Sequence, residues 1–288
     1  MTNRDDTGNE RIFISGFKVI GISGSTRHLL SFKKLSNSVI EKVHIDGVAI
    51  NPSCAGIWLY DSCKGNRISK CIIKTCDFGI FLRENCERNI IAENEITDHY
   101  TGIYIYGIVN NSVNHPCPYN VIAYNVCHDA NVNAGESGDD GILVDHANYS
   151  VIKGNLCFNN KEHGIYVSCS AYCTVTGNVC YNNSYNGIQL NGSESAPVQY
   201  NTVTGNTCHH NGYQGTNYHG IYLGAYAKWN VVNSNTCYDN VAYGILEVDK
   251  QNYNAQENVI VGNSCWSNGV GSIALGDGTG SIKANNGE

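Results

Sequence analysis

Asp139 and Asp140 stand side by side ahead of a Gly-Ile pair. Asp145-His146 closes the same short apolar segment, and Glu162-His163 precedes the next Gly-Ile pair 23 residues on. Crowded carboxyls raise one another's pKa, and a neighbouring imidazole titrates near neutrality. That combination serves proton transfer, so Asp139, Asp140, Asp145, His146 and His163 are candidate general acids and bases. His219, ahead of a later Gly-Ile pair, is a sixth. The same oxygens have a second use: Asp139, Asp140, Asp145 and Glu136 offer the several carboxylate ligands that calcium prefers. Calcium is the one cofactor these residues suggest. The plainer role for Asp139 and Asp140 is to cap a turn in the Gly-rich AGESGDD segment.

A repeat positions these residues. Gly-Ile recurs at Gly56, Gly79, Gly102, Gly141, Gly164, Gly187, Gly220 and Gly244, spaced 23, 23, 39, 23, 23, 33 and 24 residues apart. A second block follows each pair, as in NVIAYNVC (120–127), SVIKGNLC (150–157) and CTVTGNVC (173–180). Apolar residues alternate within GIYVS and GIYLG, which is strand period, and no window holds a helical stripe. One unit of three short strands cannot bury its own apolar face, but a stack of units can. The expected fold is therefore all-β, a single-stranded parallel β-helix of about ten coils. It forms one domain over 1–288, with irregular ends at 1–9 and 275–288.

The aligned columns agree. The third residue of the second block is always Ile or Val, and the sixth is Asn from Asn94 through Asn125, Asn155, Asn178, Asn206 and Asn235 to Asn263. Stacked amides of this kind bond along the rod as an asparagine ladder. The eighth is Cys from Cys127 to Cys265, a column of small core residues. Neighbouring coils put their Cβ atoms about 4.8 Å apart, too far for a disulfide. Cys169 and Cys173 flank one turn and are the pair that could bridge or hold a metal.

Alternation also says what points outward. If Ile142 and Val144 face the core, Leu143 and Asp145 face out, and so do Tyr104, Tyr106, Tyr166, Gln189, Asn191 and Tyr222. Five insertions, at 106–117, 129–139, 191–197, 210–218 and 248–256, flank this same sheet, and Tyr218 ends one of them. Loops enlarged around one face of a repetitive scaffold are where function is usually placed. The outward tyrosines read either as sugar-stacking platforms or as lateral packing against loops or another subunit.

Composition excludes several classes. Lys+Arg total 18 against 25 Asp+Glu with no basic run, so no nucleic-acid partner is expected. No apolar stretch approaches a membrane span. Charged residues are only 15%, whereas Asn reaches 39. The first ten residues carry no apolar signal region.

The GI-x-L strands, N-x-[IV]-x-x-N blocks and Asn column resemble the right-handed parallel β-helix of the pectin lyase-like superfamily. The resemblance spans nearly the whole chain. It implies a polysaccharide partner lying along the Gly-Ile sheet and a location outside the cell or on a cell or virion surface. Homo-oligomers through open coil ends or the aromatic face are a further expectation. GDDGI (138–142) and EHGIY (162–166) look like the Gly-Asp-Asp and Gly-His-Gly strands of polygalacturonases, which would make Asp139 and Asp140 the acidic pair of an inverting hydrolase. Gln189 and Asn191 stand where such an enzyme has Arg and Lys. β-Elimination or C5 epimerisation of a uronic acid asks less: a base (His163, His146 or His219), a proton donor (Tyr166 or Tyr222) and a neutralised carboxylate. That is the leading expectation, with the hydrolase and a non-catalytic glycan-binding or fibre protein as alternatives.

Overall fold

The structure, a computed structural model, describes residues 11–21, 28–47, 54–110, 113–130, 138–215, 217–277 and 280–287. Glu136, one of the expected calcium ligands, lies outside them. Every coil contributes short strands that pair in parallel with the same strand of the coils before and after. One sheet holds eleven strands, from Phe13–Ser15 to Ile282–Ala284. The Gly-Ile strands form another row, with Ile103, Ile142, Ile165, Ile188, Ile221 and Ile245 in consecutive register. Between them runs the row that carries Cys127, Cys157, Cys180, Cys208, Cys237 and Cys265. This is the parallel β-helix expected. In the coils at 72–83 and 95–106 the second and third strands merge into single twelve-residue strands.

The core is one column of buried side chains per register position, almost entirely Ile, Val, Leu and Cys. All fourteen cysteines are free thiols, and only Cys169 is not buried. Cysteine thus fills the rod as a small apolar residue.

Asparagine seals the corners. Asn155 illustrates the expected ladder: its Nδ2 donates to Ile122 O and to Asn178 Oδ1, each at 3.0 Å, while its Oδ1 accepts Asn125 N at 2.9 Å. Two further ladders accompany it. One joins Asn66, Asn89 and Asn120 and resumes at Asn201, Asn230 and Asn258; the other joins Asn160, Asn183, Asn211, Asn240 and Asn268. Buried amides in such ladders satisfy turn backbone groups that would otherwise be orphaned. The third ladder explains the recurrent glycine. A Cβ on Gly164 would lie 2.7 Å from Gly187 O and 2.9 Å from Asn183 Nδ2, so no larger residue fits.

Two aromatic ladders climb the outside. Tyr119, Tyr149, Tyr172, Tyr200 and Trp229 stack at 4.9–5.2 Å, all with φ between 53° and 61°. His128, Phe158, Tyr181, His209, Tyr238 and Trp266 stack on another face.

The expectation of irregular structure over 275–288 needs correction, because Ile282–Ala284 is an eleventh rung against Val259–Val261. Asn286 continues the ladder by accepting Asn263 N at 2.8 Å. Lys283 occupies the register of the core residue Ile260 and donates its Nζ to Ile273 O at 3.0 Å. A lysine in the core column hides the repeat at this rung.

Candidate functional site

The strand Ile142–Asp145 divides the candidate residues into two groups. At its entering end, Asp140, Glu162 and His163 each bring one donor atom within 4.8 Å of the others. At its leaving end, Asp145, His146 and Cys169 do the same. The candidates therefore share two coils, as expected, but they do not form one cluster. Leu143, Tyr166 and Gln189 are in register between the two groups as the floor.

The entering-end residues belong to a fourth ladder. Asp140 Oδ1 accepts His163 N at 3.0 Å, His163 Nδ1 accepts Asn186 N at 3.1 Å, Asn186 Oδ1 accepts His219 N at 2.6 Å, and His219 Nδ1 accepts Tyr243 N at 3.2 Å. Thr101, one coil earlier in the same column, donates its hydroxyl to Gly138 O. An Nδ1 that accepts an N–H must hold its proton on Nε2, so both imidazoles are fixed as Nε2–H tautomers. Burial pushes the His163 pKa down to about 3 and that of His219 down to about 4. Both rings are therefore neutral hydrogen-bond donors, with no free lone pair for a proton or a metal.

The acids beside them are pushed the other way. Burial, then the charge of Glu162, raises Asp139 to about 7, with Lys161 opposing. The same two causes hold Asp140 well above the carboxylate range, and burial raises Glu162. Asp139 Oδ1 is buried without a hydrogen-bond partner. Such a carboxyl either keeps its proton near neutrality or contacts a cation. The expected calcium set is not brought together, because Asp145 lies at the other end of the strand and the carboxylates that converge here are Asp140 and Glu162.

The leaving end is different in kind. His146 Nδ1 lies 2.8 Å from Asp145 Oδ1, and both residues are partly open to solvent. This imidazole is outside the ladder; its Nδ1 lies close to Asp145 Oδ1 without the alignment of a hydrogen bond, so the scaffold commits neither ring nitrogen. Tyr166 approaches from the next coil. Its register partner is Leu143, and its hydroxyl accepts Asn191 Nδ2 at 3.3 Å, beside Ser168, the register partner of Asp145. Tyr104 approaches from the coil before, and burial followed by the Asp145 charge holds its hydroxyl protonated. Asp145 itself lies in register between Tyr106 and Ser168, while Tyr104 and Tyr166 flank Leu143.

From Trp58 to Tyr106 the outward aromatics stack on one another. Phe81 stacks on Tyr104 at 5.1 Å and Tyr104 on Tyr106 at 5.4 Å, with Trp58 beyond Phe81. Rings one coil apart cover one another, which leaves edges and hydroxyls for a ligand. Tyr218, on the entering loop, likewise stacks on Tyr185 at 4.2 Å, and Tyr185 meets the edge of His163. Gln189 Oε1 accepts Asn186 Nδ2 at 2.8 Å, and Asn191 Oδ1 accepts Ala225 N at 2.7 Å. Tyr222 lies against His219 at 5.4 Å.

Sequence reasoning missed Arg83. It shares the outward column of Tyr106 and Asp145, and its guanidinium sits 5.8 Å from the Tyr106 ring centre. The signal was the alternation already used for Tyr104 and Tyr106, applied one coil earlier.

Comparison with known proteins follows the geometry. The family described as right handed beta helix region matches residues 6–115 and 131–287. Among solved structures, the periplasmic alginate epimerase AlgG superposes with TM-score 0.61 at 15% identity, over 96% of this chain and 76% of that one. The A-module of the Azotobacter vinelandii mannuronan C-5 epimerase AlgE4 gives 0.57 at 15% over 98% and 87%. Bacteriophage CBA120 tailspike protein 3 gives 0.60 at 14% over 95% and 51%. No curated protein matches the sequence. Likenesses at this identity carry the fold. No helix among the described residues is long and apolar enough to cross a membrane.

Proposed function

The chain belongs to the right handed beta helix family, and from that premise we propose that it binds an extended uronic-acid polysaccharide along the Gly-Ile sheet and removes the C5 proton of one unit. The observation that carries this reading is the Asp145–His146 approach at 2.8 Å, with Tyr104 and Tyr166 on either side of Leu143 in the same strand. His146 is the base of choice because the other two candidate histidines have Nδ1 engaged by backbone N–H groups.

In the proposed step Nε2 of His146 takes the C5 proton, and Asp145 stabilises the imidazolium that forms. In elimination, the C5–H electron pair forms the C4–C5 double bond as the C4–O bond breaks, and the leaving oxygen takes its proton from Tyr166. In epimerisation a tyrosine returns a proton to the opposite face of C5. Arg83, two coils from Asp145 in the same column and paired with Glu84 at 3.0 Å, offers positive charge to a uronate carboxylate. Calcium on Asp140 and Glu162 would supply further positive charge at the other wall.

The inverting hydrolase finds less support. Gln189 and Asn191 stand where the polygalacturonase-like arrangement around Asp139 and Asp140 has Arg and Lys for the uronate carboxylate. Structural neighbours named as epimerases of alginate and mannuronan, and as a phage tailspike, are compatible with glycan as partner and with a location outside the cytoplasm.

The test is incubation with polyuronates, with and without calcium. Absorbance near 230–235 nm reports elimination, NMR reports C5 inversion, and reducing-end release without absorbance reports hydrolysis. Turnover lost in His146→Ala but kept in His163→Asn supports the assignment. Hydrolysis alone, or silence on all three readouts, overturns it.

A further inference from the structure

Three coils beyond Ile142, the groove opens into a hollow of about 380 Å³ between Ile221–Leu223 and Tyr243–Glu247. At the coil spacing this is about 14 Å along the rod from the Ile142 coil, on the entering side of the sheet. His219, Tyr222, Tyr243, Leu246, Val270 and Asn217 line it. Among the described residues, no charged side chain does. The His219 ring lies between Tyr222 at 5.4 Å and Tyr243 at 5.8 Å, and the bond from Tyr243 N to its Nδ1 leaves Nε2–H as the donor. The next hollow along the rod, about 420 Å³, includes Asp249 and Asp277 in its lining.

We infer that the His219 hollow is a subsite for an uncharged sugar, so that the polymer acted on at His146 is a heteropolysaccharide in which uronic acids are interspersed with neutral units. This rests on the reading of the Asp145–His146 centre given above. A carboxylate entering the hollow would shed water and gain only neutral donors, the His219 N–H, the Asn217 amide and the Tyr222 and Tyr243 hydroxyls, with acidic groups one hollow further on. Neutral donors with no cation beside them offset the desolvation of an ion poorly. A neutral sugar loses far less: its C–H groups cover Leu246, Val270 and the tyrosine edges, and one hydroxyl accepts from His219. Arg83 stands at the other end of the groove. The polymer is therefore held in one register, with its acidic unit at the centre and a neutral unit in the hollow.

The test uses the full chain carrying His146→Ala, so that ligand is bound without turnover. Its binding to a homopolymeric uronate oligosaccharide is compared, by calorimetry, with that of an oligosaccharide of equal length alternating uronic acid and neutral hexose. The alternating oligomer is expected to bind about tenfold more tightly, and Val270→Lys to erase or reverse that preference. Val270 is exposed, so the substitution does not threaten folding; Leu246→Lys is the second variant. Equal affinity for both oligomers, or a ratio unchanged by both lysine substitutions, overturns the subsite and leaves the proposed reaction standing. Binding of neither oligomer overturns the uronate reading itself.

Discussion

His163 Nδ1 accepts the backbone N–H of Asn186 from the following coil at 3.1 Å. That bond makes the imidazole part of the scaffold rather than of the chemistry. Asn186 occupies the next position of the same column and uses its side-chain oxygen to do the same for His219. Asparagine is therefore a workable substitute at 163.

His163→Asn should keep the ladder bond and keep kcat/KM for uronate turnover within about fivefold. His163→Leu leaves the Asn186 N–H buried and unpaired and should cost about 1–3 kcal/mol of stability. His146→Ala should lower kcat by about 10²–10⁴ with little change in melting temperature. Kinetics and thermal denaturation of the three variants check this together.

The ladders carry stability that the apolar core alone does not. Asn178 is fully buried and engages Asn155, Asn206 and Ile152 O. Asn178→Ala strands at least two of these groups, so unfolding should become easier by about 2–5 kcal/mol, read from denaturant midpoints.

Protonation of Asp139 gives a pH dependence with a definite sign. Its folded pKa of about 7 lies above the value of an unfolded aspartate, about 3.9. Below about pH 4 both states hold the proton and no penalty arises. Stability is lost as pH rises from there through 7, where the unfolded chain releases a proton that the buried carboxyl keeps. Asp139→Asn should therefore stabilise the protein at pH 8, by about 1–3 kcal/mol, and change little at pH 4. Saturating calcium should narrow the difference at pH 8 if the ion binds this carboxyl. The buried His163 and His219 work in the opposite direction, losing stability as pH falls from about 6.5 towards their depressed pKa values.

Of fourteen thiols, only Cys169 is not buried. A native-state reaction with a thiol reagent should modify one cysteine quickly and the rest at the rate of unfolding. Because Cys169 shares the leaving-end cluster with Asp145 and His146, its modification with a bulky reagent should also block turnover, and Cys169→Ser should remove that sensitivity.

Much of this was legible in the residues. Gly-Ile spacing, the Asn94–Asn263 column and the Cys127–Cys265 column each repeat often enough to fix the coil, and alternation placed Asp145, Tyr166 and Gln189 on the outer face. What escaped depends on contacts between coils. The Asn160 and Asn66 ladders are broken by Ala130 and by Ser150 and Cys173 at equivalent positions, which blurs those columns. Lys283 disguised the last rung. The tautomers of His163 and His219 follow from a neighbour's backbone N–H, which no spacing reports. Strand length separated Asp140 from Asp145, although their closeness in sequence suggested one cluster.

The central claim is that His146 abstracts the C5 proton of a uronic acid unit. Incubation of a polyuronate in D₂O with the wild-type protein, followed by NMR of C5, reads that step whether the outcome is elimination or inversion. Deuterium at C5, or its loss into a C4–C5 double bond, is expected with wild type and His163→Asn and absent with His146→Ala. Unchanged C5–H in every sample, or turnover that survives His146→Ala, would contradict the account.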